Sequence, residues 1–143
     1  MKQVLPFSKI HYQIHPTENL FSVSTGKDVS YDDLLVHIGN LMNEPTFEVG
    51  MNGLYDFSQL TAVHGDVDVF HSTAEAMNDK SIIDKRARTA ILLKESSGNI
   101  YDIFNLYTQL TAPSLIDYRI FTLQEITALK QFLLLPKDWD MTN

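Results

Sequence analysis

The chain has no cysteine among its 143 residues. Disulfide scaffolds, thiolate metal sites and cysteine nucleophiles are therefore excluded, and a reducing cytoplasm is the expected setting. Positive charge is scarce as well: 11 lysines and arginines stand against 18 aspartates and glutamates, a net charge of -7. Such a field repels nucleic acids and anionic membrane surfaces, so neither is an expected partner. Long apolar runs are missing. The longest cluster, Phe132 to Leu135, falls far short of the ~20 residues a membrane-spanning helix needs. The segment 1–7 carries one charged side chain and no extended apolar stretch, so it does not read as a signal peptide. Internal repeats, low-complexity tracts and linkers are absent too. What remains is the composition of one globular domain, 44% hydrophobic and 20% charged, with a core over about 10–135 and a tail over 136–143.

The most telling stretch is Gly53-Leu54-Tyr55-Asp56-Phe57-Ser58-Gln59-Leu60-Thr61. A short apolar run meets an acid, then a polar turn that leads toward a helix. A buried strand delivers a side chain to the rim of an open α/β sheet in this way, and such rims hold ligand and partner sites.

The rest of the chain fits that class. Ile10, Tyr12 and Ile14 alternate with polar residues as in a half-buried strand. A turn at Pro16–Asn19 leads to a second strand through Leu20, Phe21 and Val23, and the short connection favours an antiparallel pair. Ser30 and Asp33 open a helix whose apolar face carries Leu34, Leu35, Ile38 and Leu41. After the Leu54–Phe57 strand, a helix is predicted from about Asp66 to Asn78. Ala90–Leu93 has the continuous apolar character of a central strand. A third helix follows from about Asn99 to Leu110. Alternation in Ile116–Phe121 predicts an edge strand, and Thr122-Leu123-Gln124-Glu125 matches a capping box. The predicted order is ββαβαβαβα, a mostly parallel mixed sheet of five strands with helices on both faces.

This order, the Leu54-Tyr55-Asp56 strand end and the closing Tyr118–Glu125 segment together resemble SpoIIAA-like proteins, the group that joins STAS domains with CRAL-TRIO lipid carriers. The likeness covers about Ile10 to Leu135. It implies a non-enzymatic α/β domain without a cofactor. Its STAS side implies binding of partner proteins under control of a phosphorylated serine, and its CRAL-TRIO side implies a bound lipid. The family's phosphoacceptor falls at the start of the helix after the third strand. Here that stretch is Val63-His64-Gly65-Asp66, with Gly65 in the serine's place, so no hydroxyl is present to modify.

Other constellations carry less. Asp68, His71 and Glu75 share one helical face and could ligate a metal, but Ser72 shares it too, which is ordinary surface composition. No metal site is expected, and His11, His15 and His37 have no acid or nucleophile motif beside them. Glu95-Ser96-Ser97-Gly98-Asn99 could cradle an anion, yet Glu95, Asp56 and Asp66 are expected to crowd the same sheet edge and repel one. Thr25-Gly26-Lys27 lacks the first glycine and the hydroxyl of a P-loop. Gly50-Met51-Asn52-Gly53 has the glycine spacing of a KH loop but precedes a strand. Lys80, Lys85, Arg86 and Arg88 read as a solvated connector.

The third helix is the most unusual surface. Ile100, Tyr101, Ile103, Phe104, Leu106, Tyr107 and Leu110 spread over roughly 220° of its circumference, against the ~100° stripe that one core contact uses. The excess, chiefly Tyr101 and Leu106, needs a cover: the tail with Trp139, a second subunit, or a lipid. The expected function is binding, through a protein partner or homodimer, with a small amphipathic ligand under the third helix as the alternative. The residues selected for it are Asp56, Ser58, His64, Asp66, Tyr101, Phe104, Leu106 and Tyr107.

Overall fold

The computed structural model describes residues 9–141. The segment 1–7 and the last two residues of the tail lie outside them. Among the described residues seven strands and four helices follow one another as β1 (Ile10–His15), β2 (Leu20–Thr25), β3 (Asp28–Ser30), α1 (Tyr31–Met42), β4 (Asn52–Asp56), β5 (Ala62–His64), α2 (Val67–Asn78), β6 (Ala87–Leu93), α3 (Asn99–Leu110), β7 (Ile116–Thr122) and α4 (Ile126–Phe132). Five strands form the main sheet in the order β1-β2-β4-β6-β7, and β3 and β5 pair in a separate parallel ribbon. β1 runs antiparallel to β2, and the other neighbours are parallel. The fold is thus α/β with a mostly parallel mixed sheet, and β7 stands at its edge as its alternation predicts.

Local chemistry sets the helix starts. Ser30 Oγ accepts from the Asp33 N–H at 3.0 Å while the Asp33 carboxylate accepts from the Ser30 N–H at 2.8 Å, a closed capping box. Asp66 caps α2 through the Asp68 N–H at 2.9 Å. Thr122 and Glu125 form a second box, which opens a 3-10 turn over Leu123–Glu125 before α4 begins.

The strand order advances steadily from β2 to β4, β6 and β7. Right-handed crossovers that never reverse direction stack their helices on one face. Accordingly Phe21, Val23, Ile91 and Leu93 pack with Leu34 and Leu41 of α1, Phe70 and Met77 of α2, and Phe104 and Tyr107 of α3. On the other face Leu20, Leu54, Ala90 and Leu92 meet Leu129 and Phe132 of α4, with Leu133, Leu135 and Trp139. Helices cover both faces as expected, but three to one. Among the described residues the sheet has no point where strand order reverses, and so none of the crevice that reversal creates.

Trp139 therefore has a place that the sequence does not show. It is buried on the α4 face, its ring edge-on to His15 at 5.5 Å, and it covers nothing on α3. A turn from Pro136 to Trp139 and the bond from Lys130 Nζ to the Lys137 carbonyl, 2.8 Å, hold the tail under the sheet. It is not loose.

Candidate functional site

Between the sheet and α1–α3 lies a layer where polar side chains converge in an apolar setting. Leu54 and Tyr55 are neighbours on β4, so pleating sends Leu54 to the α4 face and Tyr55 to the three-helix face. His37 of α1, 2% exposed, comes down on Tyr55 with its Nε2 at 3.0 Å from the phenol oxygen. The two rings stand edge to face, 5.4 Å apart and 89° between planes. From α3 and β7, Tyr107 and Tyr118 meet edge to face at 5.1 Å. These groups line a cavity of ≈ 40 Å³, seven of whose twelve lining residues are aromatic and none of which carries a formal charge at neutral pH. A second void of ≈ 40 Å³ adjoins it, sharing Ile38, Tyr55 and Tyr118 and running toward Phe21, Phe47 and Met77.

Burial sets the electrostatics. Desolvation lowers the His37 pKa to about 4, so the imidazole is neutral at pH 7. Its Nδ1 is buried without a hydrogen-bond partner. Burial pushes the Tyr107 phenol up to about 12 and raises Tyr55 and Tyr118 as well. Every polar group in the layer is thus a neutral hydrogen-bonding group.

The residues selected from sequence fall in several places. Phe104 and Tyr107 are buried and line the cavity. Asp56 and Ser58 come together: Asp56 Oδ1 accepts from the Ser58 N–H at 3.0 Å and from its hydroxyl, closing the turn after β4. His64 pairs with Asp28 at 2.8 Å, tying β5 to β3, and Lys9 approaches the same carboxylate at 3.8 Å. Asp66 is taken up as the α2 cap. Tyr101 is half-buried and borders a separate cleft of ≈ 240 Å³ with Thr61, Lys94, Glu95, Ser97 and Asn99. Neither Asp56 nor Asp66 lines that cleft; the Ser58 and Asp68 amides donate to their carboxylates.

Most of the α3 arc is covered by the chain itself. Phe57 packs on Phe104 at 4.8 Å, Phe70 on Tyr107 at 5.4 Å, and Asn78 Nδ2 donates to the Leu110 carbonyl at 2.8 Å. Of the seven apolar residues only Leu106, 38% accessible, is exposed. Asp68, His71 and Glu75 all face outward on α2. Among the described residues no group of three histidine, aspartate or glutamate side chains stands close enough to hold a metal. Arg88 is not a free connector residue: its guanidinium donates to the Phe132 carbonyl at 3.0 Å.

Sequence reasoning missed His37, Tyr55 and Tyr118. The one available signal was the placement of His37 at helical spacing with Leu34 and Leu41, on the apolar side of α1. The chain matches no protein-family model, no curated protein and no solved structure. No helix among the described residues is long and apolar enough to cross a membrane.

Proposed function

We propose that this is a non-enzymatic binding domain, and that it takes a small, mostly apolar molecule into the layer between the sheet and α1–α3. One observation carries the reading: apolar walls line adjoining, partly open voids beside a few neutral polar groups, the usual composition of a small-molecule site. Close-packed interiors leave few voids larger than a water, so two in one layer stand out. The pKa shifts support binding over chemistry. A general base works best with a pKa near the operating pH, and His37 at about 4 is a weak one. In this reading the SpoIIAA-like resemblance applies through its ligand-carrying side. Native mass spectrometry of the purified full chain, followed by solvent extraction, is the test. A co-purifying small molecule supports it; a bare mass that no neutral amphipathic probe alters overturns it.

A protein partner is the second reading, and the outer face of α1 favours it. Leu35 and Val36 are 44% and 54% accessible there, and Met42 follows one turn beyond the open Gly39. Apolar residues gathered on one outer face mark contact surfaces more often than scattered ones. Light scattering of wild type against Leu35→Glu/Val36→Lys decides whether that partner is a second copy. A wild-type dimer that the changes dissociate supports self-association, and a wild-type monomer rules it out.

A further inference from the structure

We infer that the outer face of α1 docks a basic amphipathic helix of another protein. The inference rests on the protein-partner reading of that face and adds the chemistry of the partner.

Shape comes first. Leu35, Val36, Gly39 and Met42 are all exposed on α1, at spacings that place them in one stripe. The stripe is about two turns long, a length that one short partner helix covers with a few apolar anchors.

Gly39 is the odd member of the stripe. Glycine inside a helix is less stable than alanine there, so its presence asks for a reason. Its φ is not positive, and a Cβ built on it would meet nothing within 4 Å. Neither backbone conformation nor a close neighbour within the chain calls for glycine. What it does is leave a notch among Leu35, Val36 and Met42, into which a side chain of a second helix fits.

Charge comes second. Asp32, Asp33, Asp68, Glu75 and Asp102 are the acidic residues of α1–α3, and these helices contain no lysine or arginine. Five of the seven net negative charges are thus carried by three adjacent helices. Local preference does not explain the missing cations: a helix dipole favours one in the last turn, and all three last turns lack it. Asp32 precedes the apolar stripe by one turn, and Glu44 lies just past its end. A helix with apolar anchors and flanking lysines or arginines matches both the stripe and its surroundings. A second copy packed α1 on α1 does not, because it sets acids against a face without cations. An anionic membrane is repelled for the same reason.

The experiment titrates the ¹⁵N-labelled full chain, at neutral pH and about 0.15 M salt, with designed peptides of about four helical turns. The first has leucines along one helical face and lysines elsewhere. The second replaces its lysines with glutamates, and the third scatters the same leucines around the helix. The leucine–lysine peptide is expected to shift the amides of Leu35, Val36, Gly39 and Met42 saturably. The glutamate peptide should leave them in place, and the scattered peptide should bind at least about tenfold more weakly. Gly39→Ala should raise the melting temperature of the free protein. Gly39→Gln fills the notch and should weaken the first peptide about tenfold, with circular dichroism unchanged. Equal affinity for the first and third peptides, shifts confined to other faces, or full affinity in Gly39→Gln overturns the inference. Binding of the glutamate peptide in place of the lysine one overturns it too but leaves α1 a protein surface. A wild-type dimer that Leu35→Glu/Val36→Lys dissociates overturns it and gives the face to a second copy. Silence of α1 with every peptide, in a protein that is monomeric by light scattering, overturns it and removes the protein-partner reading with it.

Discussion

A Cβ placed on Gly53 would meet the Phe21 ring head-on, with both Cε atoms at 2.9 Å. β2 and β4 are in register at this pair, so Phe21 lays its ring across the space a side chain would fill, then stacks edge-on with Phe47 and Tyr55. Gly53→Ala should therefore cost about 1–3 kcal/mol by overpacking, measured by urea denaturation, and Phe21→Leu in the same chain should recover part of it. His37 supplies a second residue-scale expectation. Its folded pKa, about 4, lies below the ordinary 6.5, so the unfolded chain binds the proton more readily. Stability from this group is full above pH 6.5 and is lost as pH falls toward 4, by up to about 1.4 kcal/mol per unit. Urea melts at intervals across that window should show the slope, and His37→Gln should flatten it. Neither residue's role was legible beforehand. Gly53 is explained by an aromatic 32 positions away and His37 by a tyrosine 18 positions away, and periodicity reports on neighbours along the chain only.

At the scale of elements the sequence speaks more clearly, because caps and periods are local. The α3 limits, the two capping boxes and the Asp66 cap all follow from residues within a turn of the boundary. The β3–β5 ribbon was not foreseen: three residues per strand are too few for alternation to register. Ser30→Ala should remove the α1 capping box and cost about 1 kcal/mol in chemical denaturation. Gly65 has a conformational reason for being glycine. Its φ of 115° is one that side-chain-bearing residues rarely adopt. Gly65→Ser would put a hydroxyl where the SpoIIAA-like pattern has one, yet it should lower the melting temperature through strain at the α2 entry. A variant as stable as the wild type would show that the loop tolerates the serine.

For the whole molecule, strand order was the part hidden from the sequence. Each strand–helix–strand unit can be recognised locally, but the direction in which the next strand is added depends on contacts between units. Steady addition to one edge produces the three-to-one division of helices, leaving the α4 face to depend on few side chains. Leu129 of α4 is fully buried there. Leu129→Ala should cost about 2–5 kcal/mol and loosen that face first. The same division sorts the chromophores. All six tyrosines pack with the three-helix core, whereas the single tryptophan belongs to the α4 core. Trp139 emission thus reads the docking of α4 and the tail, and tyrosine absorbance reads the opposite layer. The sheet divides the protein into two optically addressable halves, so the order in which they melt can be followed without attaching a label.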